Sequence, residues 1–164
     1  DRRDLGTISE LEGDMEAAVI QYERAILLDP QYGDSSYRLG GALERLGDDS
    51  RADKSYQRAI ALDPDHAAAH YNLARLSLRL GRTEEGTELM ATFEELKAYE
   101  SDLKAKLRAV TRAPRDPQAA YDLGMVYFGR GRLEKAREVF EKIALRHPDF
   151  TAAGEKLEEI ERLR

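Results

Sequence analysis

Apolar residues recur along this 164-residue chain at steps of three and four. That spacing predicts amphipathic helices, because it returns apolar side chains to one face of a helix. Leu39, Leu43 and Leu46 follow it in one segment, and we expect them to form one buried stripe. The apolar positions of the following segment are Ala52, Tyr56, Ala59 and Ile60. The pattern therefore predicts helices that occur in pairs.

The paired pattern repeats with a period of 34 residues. The segment that begins at Tyr22 aligns in this way with the segment that begins at Tyr56. A glycine, Gly47 or Gly81, separates the two helices of a pair, and a proline such as Pro64 prevents the second helix from continuing. Because one pair cannot bury its whole apolar surface, the repeats are expected to stack into a solenoid.

Three segments carry a shared signature: "YRLGGALERLGDDSRADKSYQRAIALDP", "YNLARLSLRLG" and "YDLGMVYFGRGRLEKAREVFEKIALRHP". Their Leu-Gly or Leu-Ala pair, inter-helix Gly, second-helix Ala and terminal Pro resemble the tetratricopeptide repeat family over almost the entire chain. The resemblance implies an all-α fold, a right-handed αα-superhelix of antiparallel helix pairs. It also implies a non-catalytic scaffold that holds a segment of another protein on its concave face. The third copy departs from the pattern, with Gly86 in the usual Ala position and Ala98 in the usual Pro position.

The repeat count predicts how the chain is organised. We expect an N-terminal repeat block, a helical extension, a fourth repeat and a capping helix. These occupy residues 1–98 (a truncated repeat 1–32, then 33–66 and 67–98), 99–116, 117–150 and 151–164, respectively. The capping helix is indicated by Leu157, Ile160 and Leu163, which fall on one face with charges elsewhere.

One segment breaks the period, because 16 extra residues precede the fourth repeat. Apolar residues continue through it at helical steps, which predicts one helix from Thr83 to about Arg112. The alternative is a break at Tyr99–Ser101, with Ser101 capping a separate helix. We favour the continuous helix. Sixteen residues add about 160° of rotation beyond whole turns, so the superhelix is expected to be interrupted here.

The extra segment also predicts a surface for self-association. The stripe needs cover from a folded-back element or a second chain, and the first repeat has no polar cap at its outer face. A homo-oligomer is therefore one expected state, and a self-associating structural subunit, even an open filament, is the alternative to a scaffold. The residues predicted for this contact are Tyr99, Leu103, Leu107 and Val110.

Residues at equivalent positions of the first helices predict a partner-binding groove. Tyr37, Tyr71 and Tyr121 share one such position, and neighbouring arginines could bind carboxylates of a peptide. The alternative is that tyrosine here only stabilises the stack. The predicted groove residues are Tyr37, Arg38, Glu44, Arg45, Tyr71, Asn72, Arg75, Arg79, Tyr121, Asp122, Met125 and Phe128.

One sub-class of this family clamps the C-terminal carboxylate of chaperones with Lys, Asn and Arg at fixed positions of three repeats. Arg3 and Arg75 suit one register, but Thr7, Arg38 and Tyr71 occupy its other positions. In the next register only Asn72 matches. We therefore do not expect this chain to bind chaperone tails.

Two histidines, His66 and His70, stand four residues apart, a spacing by which one helix face can present two metal ligands. The alternative is that His70 fills a packing position and His66 lies in the preceding turn. We expect the second arrangement, and so no metal site. His147 stands beside Pro148 and receives no role.

Composition excludes several further classes. The net charge of −6 argues against sequence-independent nucleic-acid binding, which needs a basic surface. No apolar run approaches the roughly 20 residues of a membrane span, and there are no cysteines. No nucleophile has a base at suggestive spacing and no phosphate-binding loop follows a strand, so we expect neither catalysis nor a cofactor. The 19 arginines against 7 lysines indicate a GC-rich bacterial source.

Overall fold

The computed structural model describes residues 2–163, with side chains from residue 6 onward except residue 12. Within this range the chain is all-α and forms nine helices without a strand, which confirms the predicted fold class. The helices are α1 (Arg2–Glu12), α2 (Met15–Leu28), α3 (Gly33–Arg45), α4 (Asp49–Leu62), α5 (Ala67–Arg79), α6 (Thr83–Arg112), α7 (Pro117–Gly129), α8 (Leu133–Arg146) and α9 (Thr151–Arg162). The side chain of Arg3, considered above for chaperone binding, lies outside the described residues.

The chain divides into two compact units, Asp1–Leu96 (unit 1) and Lys97–Arg164 (unit 2). Helix α6 contributes to both and is continuous from Thr83 to Arg112, so the alternative break at Tyr99–Ser101 is absent. No proline or glycine interrupts its later turns, and the helical steps of its apolar residues persist. The repeat boundaries given above stay a prediction.

In each short turn between the helices of a pair, a glycine adopts a backbone conformation that other residues rarely adopt. Gly47, Gly81 and Gly131 have φ between 72° and 80°, a left-handed conformation that costs glycine little. An aspartate often begins the next helix. Oδ1 of Asp48 accepts from the backbone N of Arg51 at 3.1 Å and satisfies a free donor of the first turn.

The core of unit 1 is built from small residues that face aromatic rings. Tyr22 and Tyr56 are fully buried among alanines and leucines of neighbouring helices. Gly40 makes room for one ring, because a Cβ built on it would lie 2.6 Å from Cε1 of Tyr56. The equivalent positions of the next repeat hold Ala74 and Met90. Alanine therefore replaces glycine in the repeat whose facing residue is a flexible methionine and not an aromatic ring.

Unit 2 repeats this arrangement in its own core. Phe140 is fully buried with Ala136, Ile143 and Ile160. A Cβ built on Gly124 would lie 2.5 Å from Cε1 of the Phe140 ring. Both units thus pair a glycine in the first helix of a repeat with an aromatic ring in the second.

Leu46, expected in a buried stripe, is exposed, and so is Leu163, which the pattern placed on the apolar face of the capping helix. Leu46 follows the last residue of α3, and Leu163 follows the last residue of α9. Both stand at the C-caps of their helices. In α9, Ile160 is buried and Leu157 packs half-buried against the unit 2 core.

The described helices include none that combines the length and the apolar character of a bilayer-spanning segment.

Candidate protein-binding surface

A cavity of about 460 Å³ opens in unit 1. Most of its wall comes from α3 and α5, the first helices of consecutive repeats, so residues 34 apart lie on equivalent positions. The predicted groove residues that line it are Tyr37, Arg38, Glu44, Arg45, Asn72, Arg75 and Arg79. The structure therefore brings together seven residues that the repeat pattern selected.

Glu44 lies at the centre of this lining, with a side chain only 8% exposed. Its Oε1 accepts from Nη2 of Arg75 at 2.8 Å and from Nη1 of Arg79 at 3.0 Å. Its Oε2 accepts from the hydroxyl of Tyr56 at 3.0 Å. These donors stabilise a charge that would otherwise be costly to bury. One carboxylate thus holds two arginines of α5 in place.

The lining keeps an excess of positive charge. The side chains of Arg75 and Arg79 are 50% and 46% exposed, although both contact Glu44. Arg79 also donates to Oδ1 of Asp49 at 2.6 Å. Four arginines and two glutamates line the cavity, so the lining has a net charge of +2 in a chain of −6. The lining is therefore rich in arginine, and two carboxylates just outside it, Asp34 and Asp49, pair with Arg38 and Arg79.

A second hydrogen-bonded group fixes one end of the cavity. Nε of Arg38 donates to Oδ2 of Asp34 at 2.7 Å, and Nε2 of His66 lies 3.9 Å from Oδ1. The His66 imidazole and the Arg38 guanidinium lower the pKa of Asp34 to about 2, although burial opposes this shift. The His66 ring also packs against Tyr37 with 4.7 Å between centroids. Tyr37 and Arg38 are thereby held towards the cavity.

Tyr56 supplies a fixed hydroxyl at the cavity floor. Burial, reinforced by the Glu44 carboxylate, raises the pKa of Tyr56 well above its ordinary value, so the phenol stays protonated and donates. Nδ2 of Asn72 lies 3.5 Å from the hydroxyls of both Tyr56 and Tyr37. At that distance the contacts are weak, so the Asn72 amide can donate to another acceptor.

Tyr71 lies outside this cavity lining, although the pattern placed it with Tyr37. Its ring is exposed and packs 5.0 Å from that of Phe93 in α6. The repeat position therefore does not decide the environment alone, because the neighbouring helix differs between repeats.

The predicted groove residues of unit 2 separate into two sets. Asp122 and Met125 line a cavity of about 510 Å³. Tyr121 packs half-buried against the unit 2 core, with its ring centroid 5.4 Å from that of Phe140. Nζ of Lys156 lies 4.9 Å from the ring centroid of Phe128, outside that cavity lining.

Both cavities include residues that the pattern did not select. In unit 1, Gly41 stands 34 residues before Arg75, so the repeat offset could have identified it. In unit 2, Gly129 stands at the position equivalent to Arg79, so the repeat pattern could have identified it, whereas Asp102 and Lys106 belong to the extra turns of α6. Besides Tyr99, which was selected for self-association, the added residues are Glu10, Gly41 and Tyr56 in unit 1 and Asp102, Lys106, Val126, Gly129 and Arg130 in unit 2.

The stripe predicted for self-association is largely covered within unit 2. The guanidinium carbon of Arg130 lies over the Tyr99 ring, 5.6 Å from the ring centroid. Burial raises the pKa of Tyr99. Leu103 and Val110 are half-buried, whereas Leu107 is 42% exposed. Cover by a folded-back element was one of the two expected arrangements, and Val110 indeed lines a cavity together with residues of α7 and α8. Self-association through the stripe stays a prediction.

The two spaced histidines have local roles. Nδ1 of His66 accepts from the backbone N of Ala69 at 3.3 Å and caps α5. His70 is buried, with Nε2 3.0 Å from the carbonyl oxygen of Pro64. Over the residues described, no group of three or more histidines and carboxylates is placed to hold a metal ion.

Comparison with solved structures gives the same fold. MamA residues 41 to end from Desulfovibrio magneticus RS-1 aligns with 97% of this chain and 81% of its own, at 23% identity and a TM-score of 0.54. A MamA RS-1 double mutant gives nearly the same alignment, with 80% of its chain covered. The second tetratricopeptide domain of Spaghetti (RPAP3), bound to the HSP90 peptide SRMEEVD, aligns with 58% of this chain and 88% of its own, at 24% identity and a TM-score of 0.57.

Comparison with curated proteins yields no significant match. Four family models described as tetratricopeptide repeat match residues 4–32, 34–66, 55–88 and 102–159. Together they reach both units and α6. The chain therefore belongs to the tetratricopeptide repeat family, whose fold serves as a protein-interaction scaffold.

Proposed function

We propose that unit 1 binds an acidic segment of a partner protein in the cavity around Glu44. The observation that carries this proposal is the excess of arginine in the lining, four residues against two glutamates. A basic cavity in an acidic protein favours anionic partners and raises the rate at which they are captured.

The arginines are arranged to bind carboxylates. Glu44 uses one oxygen for both Arg75 and Arg79, so each guanidinium retains donors that face solvent. Arg45 is exposed, and its one contact within the described residues is to Sδ of Met15 at 3.8 Å. A partner carboxylate can therefore pair with Arg45 and with the free edges of Arg75 and Arg79.

Tyr37 and Asn72 provide neutral contacts beside these charges. The Asn72 amide can donate to a backbone carbonyl of an extended segment, and the Tyr37 ring offers a flat apolar surface. The similar domain of RPAP3 holds the peptide SRMEEVD, which carries three acidic side chains. That likeness supports an acidic peptide as the class of ligand. This chain has only part of the residue set by which the chaperone-binding sub-class clamps a C-terminal carboxylate.

Fluorescence anisotropy with a labelled peptide of alternating glutamate and serine tests the proposal. We expect the full chain to bind this peptide and not its lysine–serine counterpart. Arg45→Glu should weaken binding at least about tenfold. Arg24→Glu makes the same charge change on an exposed residue of α2 outside the cavity. Equal losses in both variants, or binding of the lysine peptide, would contradict a specific cavity site.

A structural role through self-association is the second candidate. One observation favours it, the 42% exposure of Leu107 on α6. Light scattering across a concentration range would support this role if the mass exceeds that of one 18.5 kDa chain and falls to one chain in Leu107→Asp. A mass of one chain at every concentration would contradict it.

We further infer that the chain has no catalytic role, cofactor or nucleic-acid ligand. The cavity contains arginines paired to glutamate and a protonated tyrosine, and this arrangement binds charge rather than activating a nucleophile.

A further inference from the structure

A third cavity lies within unit 2 and shares no residue with the surface around Glu44. Its volume is about 220 Å³, between the end of α6, the start of α7 and the second half of α8. The floor is apolar and includes Val110, Leu123, Val139 and Ile143. Leu123 and Ile143 are buried, so the cavity reaches the core of the unit.

The rim of this cavity is basic. Lys142 and Arg146 stand one turn apart on α8, and His147 follows at the helix end. Across the described part of the chain, no hydrogen bond or ion pair engages the side chain of Lys142 or Arg146. Asp116 is the one carboxylate of the lining, and its Oδ1 already accepts from the backbone N of Gln118 at 3.0 Å. The rim therefore has positive charge without a partner.

The volume limits what can occupy the cavity. An apolar cavity of roughly 150 Å³ accommodates benzene, whereas small-molecule sites usually measure about 300–1,000 Å³. A cavity of about 220 Å³ therefore fits one leucine or phenylalanine side chain. An aromatic or aliphatic side chain of this size can anchor a protein segment in a partner's pocket.

We propose that this cavity docks a protein segment in which one apolar side chain is flanked by carboxylates. The apolar side chain fills the space above Leu123 and Ile143, and the carboxylates pair with Lys142 and Arg146. Charge complementarity selects this occupant, because a basic or neutral segment would leave both cations unpaired. The proposal is independent of the function assigned to unit 1, since it uses other residues in another unit.

The test compares two labelled peptides on the full chain. Both contain glutamates on each side of a central residue, which is leucine in one and serine in the other. Amide NMR spectra of the isotope-labelled chain locate each peptide. We expect the leucine peptide to shift the amides of Leu123, Ile143 and His147, and the serine peptide to leave them unchanged. Shifts of these amides by both peptides, or by neither, would overturn the proposal.

Variants separate this site from general attraction of acidic peptides. Lys142→Glu with Arg146→Glu should weaken the leucine peptide's effect on unit 2 at least about tenfold. Lys54→Glu with Arg24→Glu makes the same charge change on exposed residues of unit 1 and serves as the control. Equal loss in the control would overturn the proposal. Ala120→Leu, which fills the cavity from α7, should also abolish the leucine-dependent shifts, and their persistence would overturn it. Melting curves verify that each variant is folded.

Discussion

Arg75 of α5 donates from Nη2 to Oε1 of Glu44 in α3 at 2.8 Å, across 31 residues of sequence. The contact joins the first helices of two repeats and gives the cavity its shape. The same carboxylate also receives Arg79 and Tyr56, so one buried glutamate organises the basic surface proposed to bind a partner.

Glu44→Ala is expected to destabilise the fold by about 2–3 kcal/mol. The loss combines charge-assisted hydrogen bonds with a buried Tyr56 hydroxyl left without its acceptor. Urea unfolding followed by circular dichroism measures the change in the free energy of unfolding. Glu141→Ala is the control, because that glutamate is exposed and lies 3.8 Å from Arg137, and it should change stability by less than about 0.5 kcal/mol. Equal effects would show that Glu44 is not an organising residue.

Gly124→Ala is expected to cost about 1–3 kcal/mol, because the added methyl group would overlap the Phe140 ring. In a chain that already carries Phe140→Met, the Gly124→Ala change should destabilise the fold less than it does in wild type. The third repeat supports that expectation, since Ala74 and Met90 stand at the equivalent positions. Thermal unfolding of the two single variants and the double variant measures the coupling.

The control for this series is Gly154→Ala in α9. Apart from the adjoining residues and the backbone of α9 itself, no atom of the described residues lies within 4 Å of a Cβ built on Gly154, so alanine should stabilise the helix by up to about 1 kcal/mol. If both glycine variants changed stability alike, the aromatic pairing would not explain the glycine at position 124.

The Asp34 carboxylate should make stability depend on pH in the acidic range. Its folded pKa of about 2 lies below the value of an unfolded aspartate, so its contribution is present above about pH 4 and is lost as the pH falls towards 2. We expect wild type to exceed Asp34→Asn by about 1–2 kcal/mol at pH 5 and by progressively less below pH 4. Urea unfolding at several pH values measures this difference.

Asp149→Asn provides the comparison for this pH series, because Asp149 is exposed and no partner of its side chain appears in the described residues. Its stability should follow that of wild type throughout. A difference for Asp34→Asn that grows as the pH falls would have the wrong sign and would exclude the proposed linkage.

The repeat pattern predicted much of this architecture because helices and turns have local causes. Steps of three and four without a breaker predicted the continuous α6, and glycines marked the turns. Leu46 was placed wrongly in a buried stripe, because the stripe does not show that α3 ends one residue before it. The continuous helix was right, whereas self-association through its stripe stays a prediction.

The candidate site was predicted as a set of positions and not as a set of contacts. The 34-residue offset selected Arg75 and Arg79, but their pairing with Glu44 depends on helix register and side-chain conformation. Tyr71 shows the same limit, since the ring that it contacts belongs to the irregular repeat. Positions follow from local periodicity, whereas contacts follow from packing between repeats.

The most direct measurement of the central claim is the amide NMR spectrum of the full chain titrated with the glutamate–serine peptide. We expect saturable shifts for Tyr37, Gly41 and the side-chain amide of Asn72, which weaken at least about tenfold in Arg45→Glu and persist in Arg24→Glu. Shifts confined to other parts of the chain, or no saturable shift at these residues, would contradict partner binding in the cavity around Glu44.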